Sequence, residues 1–157
     1  LEYVKIVPMD IKVVSTNRKA RFEYFITETY EAGLVLKGTE IKSIRKGQIS
    51  LQEAYVRTDG EEVCLVGAHI APYDQASTAQ HNPTRERKLL LNKKEIRQLW
   101  NSIRIKGMTI VPIRVYLKAG RAKLEIGVAR GKKLYDKRES IKERDIQRES
   151  SRRGGDF

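Results

Sequence analysis

The sequence predicts a mainly β protein, in which six strand segments close into a small barrel, one helix is inserted before the last hairpin, and a basic tail is disordered on its own. Three observations carry that expectation. β-Branched and aromatic residues gather in short runs separated by turn signals. A single stretch, 92–107, has helical periodicity. Beyond residue 130 the apolar residues thin out to Leu134, Tyr135, Ile141, Ile146 and Phe157. At 157 residues with 39% hydrophobic side chains, the chain has the length of one ordinary domain with a modest core.

Residues 22–29 (FEYFITET) and 34–44 (LVLKGTEIKSI) read as strands, the second bending at Gly38. AYVRT, Asp59-Gly60 and EEVCLVGAHI read as a hairpin, because Asp-Gly suits the positive φ angles of a type I′ turn. Residues 71–88 (APYDQASTAQHNPTRERK) contain Pro72 and Pro83 and little periodicity. They read as a long surface loop whose basic end, Arg85, Arg87 and Lys88, is a candidate RNA contact.

Ile96, Leu99, Trp100 and Ile103 recur at i, i+3, i+4 and i+7, the apolar stripe of a helix. Asn92 is its expected N-cap with Glu95 as capping-box partner, and Gly107 its left-handed C′ residue. TIVPIRVYL and AKLEIGVAR form the last hairpin around Lys118-Ala119-Gly120-Arg121. Six such segments and one helix point to a closed or partly open barrel of the oligonucleotide-binding (OB) kind, with a split sandwich as the alternative. The chain divides into an N-terminal extension over 1–16, the barrel over 17–130 and a tail over 131–157.

Lys and Arg number 32 against 20 Asp and Glu, a net charge of +12. A surplus of this size favours a polyanion, nucleic acid before anionic membrane. The single cysteine, Cys64, excludes an internal disulfide, and with only His69 and His81 beside it a zinc site lacks ligands. No apolar run approaches the roughly 18 residues of a membrane span and no secretory leader pattern is present, so a cytoplasmic monomer without cofactors is expected.

Enzyme motifs are missing: GxSxG, GK[ST], HExxH and CxxC do not occur, and Glu40, Glu53 and Glu125 fall on separate predicted strands. No catalytic residue is assigned. Binding chemistry is better supplied, since Tyr24, Phe25, Tyr30, Tyr55, Tyr73 and Tyr116 interleave with Lys19, Arg21, Lys37, Lys42, Arg45 and Arg114. That mixture stacks bases and neutralises phosphates, although aromatics on strands also build cores. A general single-stranded nucleic-acid-binding OB protein with a basic tail and, more remotely, a metal-dependent nuclease stay open at this level.

Three blocks narrow the choice: NRKARFEYFITETYEAGLVLKGTEIKSIRKG, PTRERKLLLNKKEI and GVARGKKLYDKRESIKERD. Together they resemble the small protein B family, the SsrA-binding proteins that partner transfer-messenger RNA in bacteria. The resemblance implies an OB-type barrel that grips the transfer-RNA-like part of that RNA and favours its alanylation. It also implies entry into stalled ribosomes for trans-translation, with elongation factor Tu and alanyl-tRNA synthetase met through the RNA.

Carried onto this chain, the family's RNA face falls on Asn17, Lys19, Glu31, Leu91, Asn92 and Lys123, with Phe22 and Arg45 as further contacts. Phe22 stands where many members have histidine, so a ring that can stack remains and a hydrogen bond is lost. His81-Asn82-Pro83 departs from the Asp-Pro often found there. Glu31 can accept from a guanine N–H edge or a ribose 2′-hydroxyl, which a lysine cannot. In the tail, Gly131, Lys132, Lys133, Tyr135, Asp136, Lys137, Arg138 and Arg144 match the ribosome-contacting block, which the family places at the decoding centre. As a helix in the messenger-RNA channel, the tail would align Lys133, Lys137, Arg144 and Arg148 as a basic stripe.

Overall fold

The structure, a computed structural model, describes residues 11–73 and 80–132. Its elements run β1 (Ile11–Thr16), α1 (Arg18–Glu23), β2 (Tyr24–Leu34), α2 (Gly38–Arg45), β3 (Ile49–Ser50), β4 (Tyr55–Thr58), β5 (Val63–Val66), β6 (His69–Ile70), β7 (Arg87–Leu90), α3 (Lys93–Ile103), β8 (Met108–Lys118) and β9 (Arg121–Gly131). β8 closes the barrel because it pairs β9 along its whole length on one side and meets β4 at Ile110 on the other. The ring β4-β5-β7-β2-β9-β8 is therefore continuous, with β1 laid beside the far half of β8. The mainly β barrel is the one the sequence predicts, and Leu65, Leu89, Leu99, Ile110, Leu124 and Ile126 fill its interior.

The last hairpin is the most regular part. Lys118 pairs with Arg121, and the two residues between them, Ala119 (φ 51°) and Gly120 (φ 79°), both take positive φ as a type I′ turn requires. The expected type I′ turn at Asp59-Gly60 is absent. Thr58 pairs with Val63 across a four-residue loop, only Gly60 has positive φ there, and the Asp59 carboxylate accepts from the amides of Glu61 and Glu62. The second strand of that hairpin also breaks at Gly67, φ 80°, where a Cβ would lie 2.7 Å from the Glu53 carbonyl oxygen. His69 and Ile70 then leave the barrel and pair with β3.

Helix α3 forms as the apolar stripe predicts, with reciprocal Asn92 and Glu95 hydrogen bonds at its start. Gly107 does take positive φ, but in the turn into β8, since the helix closes at Arg104. The inserted helix is not alone. Residues 38–44, expected in the strand over 34–44, instead belong to α2, in which Glu40, Ser43 and Ile44 are buried at i, i+3 and i+4. Two of those three inward positions are polar, so the apolar pattern hid the helical period.

Two strands of the seven-stranded sheet, β1 and β7, lie outside the expected segments, as does the short β3. Ile11–Thr16 pairs with β8, so the sheet begins within the segment assigned to the N-terminal extension. Arg87–Leu90 is β7, inserted between β5 and β2, where the loop reading ran to residue 88. Its side chains alternate, Arg87 and Leu89 buried, Lys88 and Leu90 exposed. A charged residue at an inward position broke the expected apolar alternation.

Candidate nucleic-acid interface

Strands β2, β9 and β8 lie side by side, so paired residues share a face of the barrel. Glu31 faces Glu125, which faces Arg114; one step along, Gly33 faces Lys123, which faces Tyr116. The Tyr116 hydroxyl donates to Glu31 Oε2, and Lys118 Nζ lies 3.6 Å from the same oxygen. The Tyr116 bond, with Lys118 and Lys123 nearby, holds the Glu31 carboxyl below its ordinary value against the opposing effect of burial. Arg114 Nε sits 3.3 Å from Glu125 and its guanidinium lies 5.4 Å from the Tyr116 ring centre.

Lys123 also lines a groove with Gly33, Leu34, Ile41, Gly120 and Arg121. Arg45, at the end of α2, donates to the Gly120 carbonyl at 3.5 Å, which brings it to this groove. Glu31, Lys123 and Arg45 are thus gathered on one side of the barrel. Leu91 is half-buried against the core, and Asn92 follows it with Oδ1 committed to capping α3. The side-chain nitrogen of Asn92, Nδ2, has no partner among the described residues.

Asn17 and Lys19 belong to a different groove, shared with Tyr24, Glu53, Tyr55 and Thr109. Asn17 is buried, and its Nδ2 donates to the Pro112 carbonyl at 2.9 Å, so its side chain fixes α1 against β8. Phe22, on α1, is 82% exposed. Near it Lys132 Nζ donates to the Arg21 carbonyl and lies 5.0 Å from the Phe25 ring centre, which ties the end of β9 to α1. Gly131 is the last β9 residue, paired with Tyr24. Lys133, Tyr135, Asp136, Lys137, Arg138 and Arg144, and the basic stripe built on them, lie outside the described residues.

At the basic loop end Arg87 is withdrawn from any outside partner, while Arg85 and Lys88 are ion-paired within the protein. Arg87, fully buried, donates Nε to Glu40 Oε2 at 2.7 Å and Nη1 to the Ala68 carbonyl at 2.8 Å. Arg85 also donates to Glu40, and Lys88 lies 3.4 Å from Glu62. All three cations are engaged by carboxylates of the protein itself. Burial alone would push the Glu40 carboxyl up, but hydrogen bonds from Arg85, the Lys37 amide and Arg87 hold it at about 2. Beside them His81, also buried, bridges the Ile70 carbonyl through Nε2 and Thr39 through Nδ1, both at 2.9 Å. A carbonyl only accepts, so Nε2 carries the proton.

Of the aromatic residues, Tyr116 is buried and Tyr30 is half-buried against the core, its hydroxyl donating to Glu28 at 2.8 Å. Burial, then Glu28, pushes the Tyr30 hydroxyl up to about 12. Neither is a stacking platform, whereas Phe22 and Tyr55 are well exposed. Lys118, which no local sequence signal marks, reaches Glu31 across the barrel face at 3.6 Å.

The family model described as SmpB protein matches residues 14–155. This chain belongs to the SmpB family. It is 53% identical over 141 residues to the SsrA-binding protein of Desulforudis audaxviator, covering 90% of this chain and 92% of that one. With the SsrA-binding protein of Persephonella marina it shares 54% identity over 145 residues, 92% of this chain and 95% of the relative. A solved chain from "tmRNA-SmpB: a journey to the center of the bacterial ribosome" superposes with a TM-score of 0.64 at 46% identity, covering 74% of this chain and 82% of that chain. Among the described residues no group of three His, Cys, Asp or Glu side chains could hold a metal ion, and no helix is long and apolar enough to cross a membrane.

Proposed function

We propose that this protein is an RNA-binding adaptor for ribosome rescue. It binds the transfer-RNA-like part of transfer-messenger RNA (SsrA RNA) and accompanies it to stalled ribosomes for trans-translation. The observation that carries this reading is one face of the barrel on which an exposed acceptor, Glu31, stands beside Lys118 and Lys123 in a chain of net charge +12. Cations supply affinity for phosphates without regard to sequence, and a carboxylate adds discrimination, because it accepts only from a base edge or a 2′-hydroxyl and repels phosphate. Relatives named SsrA-binding protein supply the identity of the RNA.

In this reading Lys19, Glu31, Arg45, Leu91, Asn92 and Lys123 contact the RNA, with Phe22 as a stacking ring. Asn17 acts through its hydrogen bond to Pro112, holding α1 and Lys19 in place. The segment from Gly131 through Arg144 serves the ribosome, in the decoding centre and messenger-RNA channel. Elongation factor Tu and alanyl-tRNA synthetase are met through the RNA. The protein works as a cytoplasmic monomer and catalyses no reaction.

A gel shift comparing a transfer-RNA-like transcript with unstructured RNA of equal length tests the assignment. Clear preference for the folded RNA is expected, and preference for the unstructured strand would favour a general single-stranded RNA binder.

A further inference from the structure

We propose that Tyr116 is a positioning residue for RNA recognition: its hydroxyl fixes one oxygen of Glu31 so that the other is presented to a donor on a base edge or a ribose. The inference rests on the RNA-binding reading of this face. Tyr116 is suited to the task because it is only 4% exposed and lies mid-strand, paired with Val13 of β1 on one side and Lys123 of β9 on the other. Its ring cannot swing away. The Glu31 side chain, by contrast, is 40% exposed and would otherwise sample many rotamers. Ordering a glutamate on binding has an entropic cost, which a fixed internal donor removes in advance.

The chemistry of the donor matters as much as its place. A cation bound tightly to Glu31 would orient the carboxylate but also cancel its charge and compete with the RNA. A neutral phenol orients without cancelling. The direction of the bond is set, because burial and the facing carboxylates Glu31 and Glu125 keep the proton on Tyr116. Lys118, at 3.6 Å, approaches the same Oε2 that the phenol occupies. Oε1 meets no donor among the described residues, and Oε2 keeps a lone pair, so a single donor or the paired N–H groups of guanine fits. Glu125, directly opposite Glu31, is ion-paired with Arg114 at 3.3 Å, its Oε1 buried away from solvent.

The test uses the full chain and a transcript of the transfer-RNA-like domain. Tyr116→Phe keeps the ring, its packing and the Arg114 contact while deleting one oxygen. We expect affinity to fall by up to roughly tenfold, the cost of ordering Glu31 on binding once its internal donor is gone, and Tyr116→Phe combined with Glu31→Gln to bind no more weakly than Glu31→Gln alone. The acid limb of binding should also move to higher pH in Tyr116→Phe, since the bond that depresses Glu31 is lost while Lys118, Lys123 and Arg114 remain. A purely structural tyrosine would not move that limb. Glu31→Asp, which keeps the charge but withdraws it from the phenol, should lose affinity as Tyr116→Phe does. If the wild type prefers the folded RNA while Tyr116→Phe matches it across pH, or if the two losses add, the positioning role is wrong and the RNA assignment stands. If the wild type shows no preference for the folded RNA, both fall.

Discussion

Two glutamates on successive elements, Glu31 on β2 and Glu40 on α2, each accept hydrogen bonds from strong donors, yet they do opposite work. Glu40 is fully buried, and both of its oxygens are taken by Arg85, Arg87 and the Lys37 amide. It can bind nothing else, so its role is to hold α2, β7 and the 81–86 segment together. Glu31 is partly exposed and held at one oxygen by a neutral donor and a cation 3.6 Å away, which leaves acceptor capacity facing solvent. A carboxylate saturated inside the protein is structure, and a carboxylate oriented but unsatisfied at the surface is recognition.

The largest expected effect breaks the buried half of this comparison. Glu40→Gln leaves Arg87 charged and without its counter-ion in the interior, so stability should fall by about 3–5 kcal/mol in denaturant titration. The pH dependence has a definite sign. The Glu40 pKa is depressed from an ordinary 4.5 to about 2, so its contribution is present above pH 4.5 and is lost as pH falls toward 2. In Glu40→Gln that part of the acid destabilisation should be missing from pH-dependent melting curves. Because the cluster is buried, added salt should change the stability difference between wild type and Glu40→Gln little.

Next in size is Gly67→Ala, a test of whether the 68–70 segment must leave the barrel. The left-handed backbone costs an alanine roughly 1–2 kcal/mol, and its Cβ would collide with the Glu53 carbonyl. Thermal melting should show a loss of at least that size. An unchanged melting temperature would mean the β5 to β6 break is not fixed by this glycine.

At the surface the order of effects reverses. Glu31→Gln should leave stability within about 0.5 kcal/mol, as surface substitutions usually do, while weakening transfer-RNA-like binding roughly tenfold. Lys123→Ala should weaken binding to folded and unstructured RNA alike and flatten the salt dependence by about 0.7–0.9 log units of affinity per log unit of salt. Equal loss of discrimination in both variants would erase the proposed difference between an acceptor that selects and a cation that attracts. The smallest effect is expected at Ala119→Gly, where relief of positive φ should add about 0.5–1 kcal/mol to stability without changing RNA affinity.

The parts legible in the sequence are those whose signals are local. The α3 stripe and its Asn92 and Glu95 cap, the β8 to β9 hairpin and the alternation of β4 follow from spacings within a dozen residues, and physics at that range is written in the chain itself. Glu31 and Lys123 could be singled out only by resemblance, since nothing adjacent in sequence distinguishes them from other surface charges. What the tertiary structure alone decided is the fate of polar side chains. Arg85, Arg87 and Lys88 read as a basic cluster until Glu40 and Glu62 are brought to them from other elements, and α2 and β7 carry no clear periodic signal because Glu40 and Arg87 stand at inward positions that periodicity reserves for apolar residues. Tyr116 likewise reads as one more strand aromatic until barrel closure sets its hydroxyl against Glu31. A charge is indifferent to its sequence neighbours; whether it meets water, RNA or a buried counter-ion depends on which strands the barrel places beside it.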